Sequence, residues 1–165
     1  MASRMTSSRR ATDRTGTRIN RATAQDAKRL TNLVRRSSAY EGRYQSIVAG
    51  CVVGPDFIES NRVFLAVADD GSLLGFYALL LGPAELDLMF VADAAQGLGI
   101  GRLLVEHMVG EARAAGLTEV RVVSHPPAEG FYRSVGARRT GTVLANPPVV
   151  GWDRPELVFP ITAAG

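Results

Sequence analysis

Residues 96–102 read Gln-Gly-Leu-Gly-Ile-Gly-Arg, with Gly97, Gly99 and Gly101 at every second position. Placed between a strand and a helix, such a run points several successive backbone N–H groups the same way. The helix dipole adds a positive end, so the turn favours a phosphate or pyrophosphate. A side chain at Gly97, Gly99 or Gly101 would block the approach of phosphate oxygens or forbid the backbone angle the turn needs. Two familiar phosphate loops do not fit. A nucleotide-triphosphatase loop needs a lysine directly after its last glycine, and the single lysine of the chain is Lys28. The dinucleotide fingerprint Gly-x-Gly-x-x-Gly needs a third glycine where Arg102 stands, or Leu104 if the pattern starts at Gly99.

The elements around this run follow from periodicity. Alternation over 17–22 predicts a strand. A helix opening between Thr23 and Asp26 carries Ala27, Leu30, Leu33 and Val34 at three-and-four spacing. Residues 35–50 show no clear period; Gly54-Pro55-Asp56 then turns into a short helix through Phe57 and Ile58. Strands over 63–68 and 73–81 flank a hairpin turn at 69–72, and 85–91 forms a fourth strand. The glycine run leads into a helix of about fifteen residues. Its apolar face is Ile100, Leu103, Leu104, His107, Met108 and Ala112, and Gly116 stops it. A fifth strand (120–124), a break at His125-Pro126-Pro127, a short helix (128–135) and strands at 138–144 and 156–160 complete the order. That order predicts an α/β (α+β) fold, a mixed sheet of six to seven strands with helices on both faces.

Two motifs in this context resemble the GNAT superfamily of N-acetyltransferases. The family's pyrophosphate pattern, Arg/Gln-x-x-Gly-x-Gly/Ala, is matched by Gln96, Gly99 and Gly101. Its Phe-Tyr signature is matched by Phe131-Tyr132-Arg133-Ser134-Val135-Gly136-Ala137. The likeness spans residues 17–160 and implies the acyl-CoA N-acyltransferase fold, with fourth and fifth strands splayed around acetyl-coenzyme A. In that arrangement the backbone of Phe90 and Val91 pairs with the pantetheine arm. Gln96, Gly97, Leu98, Gly99, Ile100, Gly101 and Arg102 hold the pyrophosphate. Tyr132 sits near the sulfur as proton donor to the thiolate, the alternative being a core aromatic; Phe131 is read as core. Ser124 and His125 occupy a strand end where the family often has asparagine, and Ser124 is assigned to the cofactor side.

Acetyl transfer to an amine needs a neutral amine, a stabilised oxyanion and a proton for the leaving thiolate. A carboxylate on the fourth strand often serves as base in the family. Strict alternation puts Glu85 and Asp87 on one face, with Glu85 placed ahead of Asp87 and pairing with arginine as the competing role. The oxyanion donor is an amide at Phe90 or Val91. Acceptor specificity is assigned to 37–54, where Tyr40, Glu41 and Tyr44 could hold a cationic amine, and to the loop between the last two strands. The acceptor expected is a primary amine of a small molecule; a protein N-terminus or lysine, and a coenzyme A-sensing module without turnover, are the alternatives. A homodimer is common in the family, and nothing in the sequence fixes one.

Composition bounds the rest. A chain of 165 residues, 46% hydrophobic, suits one domain with a substantial core. It has no apolar run of about eighteen residues, so no membrane span is expected. One cysteine, Cys51, cannot form an internal disulfide, which fits a cytoplasmic location; it is read as a small buried hydrophobe. The formal charge of +3 belongs to residues 1–16, where Arg4, Arg9, Arg10 and Arg14 face Asp13, so the folded body is neutral. Residues 1–16 are therefore read as a flexible basic tail and 17–165 as the catalytic domain, and the charge argues against a nucleic-acid partner. His107, on an apolar helix face, is read as a satisfied buried histidine, and two lone histidines imply no metal site.

Overall fold

The computed structural model describes residues 16–38 and 50–162; Tyr40, Glu41, Tyr44 and all of the basic tail but Gly16 lie outside them. The strands are β1 (Arg18–Arg21), β2 (Arg62–Val67), β3 (Leu73–Leu81), β4 (Ala84–Val91), β5 (Glu119–Val123), β6 (Arg138–Val143) and β7 (Arg154–Pro160). The helices are α1 (Ala27–Arg35), α2 (Pro55–Ser60), α3 (Ile100–Ala114) and α4 (Glu129–Ser134). The strands form one seven-stranded sheet in the order β1-β2-β3-β4-β5-β7-β6. Every neighbouring pair is antiparallel except β4 and β5, which run parallel.

Local chemistry sets the boundaries. Before α1, Asp26 closes a capping box: the Thr23 amide donates to its Oδ2 at 2.8 Å. Pro55 starts α2 at a position whose N–H would have no partner in the helix. The turn between β2 and β3 is held by Asp70, whose Oδ1 accepts from the Ser72 amide and hydroxyl.

Alternating strand residues feed two apolar clusters. Tyr77 and Leu79 join Leu104, Met108, Val120, Val122, Leu157 and Phe159 in the first, on the α3 side. Phe76 and Ala78 join Leu30, Val34, Ile58, Val63 and Leu65 in the second, under α1 and α2. The sheet is thus covered on both faces, as the sequence predicts.

Strand β4 is irregular along both of its edges. Ala78 pairs with Leu88 but Leu79 pairs with Leu86, so Asp87 is an extra residue in a β-bulge. Leu86 consequently belongs to the α3 side, whereas Leu88 packs against the other cluster. The break in alternation falls between Leu86 and Leu88, and Asp87, beside Cys51, lies on the α1 and α2 side, where Glu85 meets Arg121. On its other edge β4 shares one register pair with β5 among the described residues, Glu85 with Arg121. Beyond it, residues of both strands line a cleft.

Candidate functional site

The cleft holds about 600 Å3 and runs between the β4 edge and the β5–β7 wall. The glycine turn forms one end. Gly97 and Gly99 adopt φ of +82° and +80°, a left-handed backbone that strongly favours glycine, and Gly99 caps α3. A Cβ at either position would meet nothing within 4 Å, so the space beside both is open. Gly101 differs from expectation. Its φ is not positive, and a Cβ there would come 3.0 Å from the Phe131 ring. Its smallness seats that ring.

The Gln96 side chain donates to the Val91 carbonyl at 3.2 Å, tying the turn to the end of β4. Phe90, Val91, Gln96, Gly97 and Gly99 all line the cleft, as do Ile100, Gly101 and Arg102. Leu98 is in the turn with its side chain 51% exposed and is not among the lining residues.

Tyr132 is buried, meets Phe131 and Phe159 edge-on, and lies on the cleft wall. Phe131, expected in the core, is half-buried and also lines the cleft, because Gly101 lets it lean over the start of α3. Ser124 is not on that wall. Its hydroxyl donates to the His125 carbonyl at 2.7 Å and its amide to Pro155, so it fixes the β5 exit. His125 is buried and faces the cleft. His107 is half-buried, with Nδ1 2.8 Å from the Tyr77 hydroxyl, and desolvation lowers its pKa. It lies apart from the cleft lining.

The two carboxylates part company. Glu85 faces the Arg121 guanidinium at 3.5 Å, Arg121 also pairs closely with Glu156 on β7, and Glu85 is not a lining residue. Asp87, pushed out by the bulge, is a lining residue, open to solvent in the cleft. The surrounding protein raises its carboxyl above the ordinary value by desolvation. Cys51 lies near it with Val34 and Ser37. Burial pushes the Cys51 thiol up against the opposing pull of Arg35, which disfavours a thiolate.

One lining residue carries no mark in the sequence. Arg154, at the start of β7, reaches the cleft from the wall opposite Asp87. Among the described residues no group of three or more His, Cys, Asp and Glu is placed to hold a metal, and no helix is long and apolar enough to cross a membrane.

A strand-splayed mixed sheet with a glycine turn at the cleft is the acyl-CoA N-acyltransferase fold, and residues 34–146 match the acetyltransferase (GNAT) domain. The chain belongs to that family: it is an acetyl-CoA-dependent acyltransferase that acts on an amine. It is 30% identical over 132 residues to the peptidyl-lysine N-acetyltransferase YjaB of Salmonella typhimurium, covering 74% of this chain and 84% of that protein. A GCN5-related N-acetyltransferase from Rhodopseudomonas palustris shares the fold with a TM-score of 0.75 at 16% identity, over 86% of this chain and 94% of that one. A GNAT family acetyltransferase from Elizabethkingia anophelis, solved with acetyl-CoA bound, has a TM-score of 0.64 at 19% identity, over 88% and 98%.

Proposed function

We propose that the cleft takes acetyl-CoA with its diphosphate on the turn before α3, and that the acetyl group passes to a primary amine of a small molecule by direct attack in a ternary complex. The observation that carries this reading is the shared cleft: the open glycine turn, the β4 edge beyond its last pair with β5, and Tyr132 line one space. The residues fit the cofactor. Amides at the start of α3 are unhindered toward a diphosphate, and the β4 edge offers backbone groups to an extended amide-bearing arm.

The thioester supplies an activated acetyl group, and the chain's own groups do the rest. Asp87, with its raised pKa, takes a proton from the acceptor ammonium directly or through water. The freed nitrogen lone pair forms the C–N bond as the C–S bond breaks. The Tyr132 phenol gives its proton to the departing thiolate and is restored by the proton that the attacking nitrogen sheds as the neutral amide forms, directly or through water. A main-chain amide at Phe90 or Val91 donates to the developing oxyanion. Glu85, occupied by Arg121, is assigned to holding β4 and β5 together rather than to proton transfer.

A second reading takes the acceptor as a protein lysine. It is favoured by the name of the Salmonella relative, a peptidyl-lysine acetyltransferase. Following release of free coenzyme A over a panel of small amines and lysine peptides separates the two. In the same assay Tyr132→Phe should lower kcat by on the order of 10²-fold. Release of coenzyme A with no member of the panel, under conditions where acetyl-CoA binds, would sink the transfer reading.

A further inference from the structure

Arg154 differs from the arginines that the sheet and helices pair with carboxylates. Arg121 has Glu85 and Glu156, Arg139 has Glu129, Arg62 has Glu111 and Arg29 has Asp26. Among the described residues no carboxylate pairs with Arg154, and its buried Nε makes no hydrogen bond. A buried donor on a cation without an acceptor is destabilising, by far more than an exposed one. Such a group is retained at that expense where an anion arrives to complete it.

Its position says which end of the cleft the anion would use. On β7, Pro155, Leu157 and Phe159 are buried, and Leu157 and Phe159 join the α3-side cluster. Arg154 and Glu156 alternate with them and so belong to the opposite face, the one covered by α1 and α2. Val34, Ser37 and Cys51 line the cleft from that side, with Asp87 near Cys51. The glycine turn, where the diphosphate is placed, lies at the start of α3.

The structure assigns to Arg154 the recognition of a carboxylate carried by the acceptor, so that the acceptor is an amine with a carboxylate on the same molecule. This rests on the acetyl-transfer reading above. Asp87 and Arg154 then form a pair of opposite charges on opposing walls: the carboxylate receives the ammonium, and the planar guanidinium receives the acid group through two parallel N–H donors. A simple alkylamine would satisfy Asp87 and leave Arg154 without its anion. Discrimination of this kind follows because the unfavourable state leaves a half-buried guanidinium, with its Nε buried, lacking its anion.

The test uses two matched pairs of acceptors. The first is an amino acid and the amine left by removing its carboxylate. The second is a lysine peptide with glutamate beside the lysine and the same peptide with alanine. Coenzyme A release should favour the carboxylated member of at least one pair by tenfold or more in kcat/KM, and the pair that responds shows whether a free amino acid or a peptide brings the carboxylate. In Arg154→Gln that ratio should fall to about one, chiefly through KM; Arg154→Lys should fall between. The KM for acetyl-CoA is the control. A rise there as large as for the carboxylated acceptor would put the guanidinium on a cofactor phosphate and overturn the assignment. So would an unchanged selectivity ratio in Arg154→Gln.

Titration of the carboxylated amines into the enzyme saturated with coenzyme A reads the contact without turnover. Binding tenfold or more weaker in Arg154→Gln supports the assignment even if no amine is acetylated, whereas equal binding overturns it even if transfer is seen.

Discussion

Asp87 shows how a single extra residue converts a strand carboxylate into a candidate base. Pairing with arginine is what a half-buried glutamate beside a guanidinium does, and Glu85 does it. Asp87, displaced by the bulge, is instead left in the cleft with a raised pKa caused by desolvation. A carboxyl with a higher pKa folded than unfolded favours the folded state while protonated, and that advantage is lost as pH rises from the unfolded through the folded pKa. At neutral pH the charged Asp87 is therefore a burden on stability. Asp87→Asn should leave thermal stability at pH 7 equal or higher while lowering kcat/KM by roughly 10²–10⁴-fold. It should also remove the acidic limb of the pH–rate profile, which in the wild type sits above the ordinary aspartate range. A large drop in melting temperature with that limb intact would make Asp87 structural and return the base to another group. Gly99 offers a second residue-level test. At φ of +80° an alanine is strained by about 1–2 kcal/mol, although its methyl would touch nothing. Gly99→Ala should lose that much in denaturant unfolding and bind acetyl-CoA more weakly, because the amides it orients move. Undiminished affinity would take the diphosphate away from this turn.

The elements divide sharply in how far the sequence announces them. The helix α3 is legible because a glycine in the left-handed region starts it, Gly116 at φ of +77° ends it, and Ile100, Leu104, Met108 and Ala112 are buried at helical spacing. His107 and Leu103, read into the same face, sit at its margins, while Val105 is buried in their place. The bulge in β4 leaves no mark in the sequence: Glu85-Leu86-Asp87-Leu88 alternates cleanly, and the extra residue exists only relative to β3. Arg154 is hidden for the same kind of reason. One arginine in an arginine-rich chain carries no signal until the register of β7 and the partners of the other arginines are known. Gly75 in β3 also reveals its purpose only in three dimensions. A Cβ there would lie 2.7 Å from the Phe90 carbonyl oxygen and 3.2 Å from the Val91 Cα, so β3 can approach the cleft end of β4 closely only without a side chain. Gly75→Val should destabilise by about 1–3 kcal/mol, the usual range for overpacking, with a further loss of acetyl-CoA affinity as β4 is pushed. Gly110, inside α3 with nothing near its Cβ position, is the contrasting case. Gly110→Ala should stabilise by about 0.5–1 kcal/mol in the same unfolding experiment.

At the scale of the whole molecule the sheet divides into two wings, β1 to β4 and β5 to β7, joined where β4 and β5 meet. Among the described residues that junction has one register pair, Glu85 with Arg121, and the ion pair between the same two side chains. That pair is partly exposed and adds only about 1 kcal/mol or less. Apolar contacts across the α3-side cluster supply the rest. A ligand that lies between the wings and touches both binds the folded state and not the unfolded chain. At a hundred times its Kd it adds about 2.7 kcal/mol. For a domain of this size each kcal/mol shifts the melting temperature by about 2–4 °C, so saturating acetyl-CoA should raise it by roughly 5–10 °C. Arg121→Met, which removes the ion pair to Glu85 and leaves the cleft lining in place, should melt lower without ligand. At the same multiple of its own Kd, acetyl-CoA should add the same mass-action shift to both proteins, so a change in how the wings are held is read in the Kd itself. A Kd for acetyl-CoA that rises in Arg121→Met, while that of the adenosine diphosphate fragment alone does not, identifies a joint that the cofactor must lock. Equal Kd values in the two proteins would make the cleft a slot in a single rigid body.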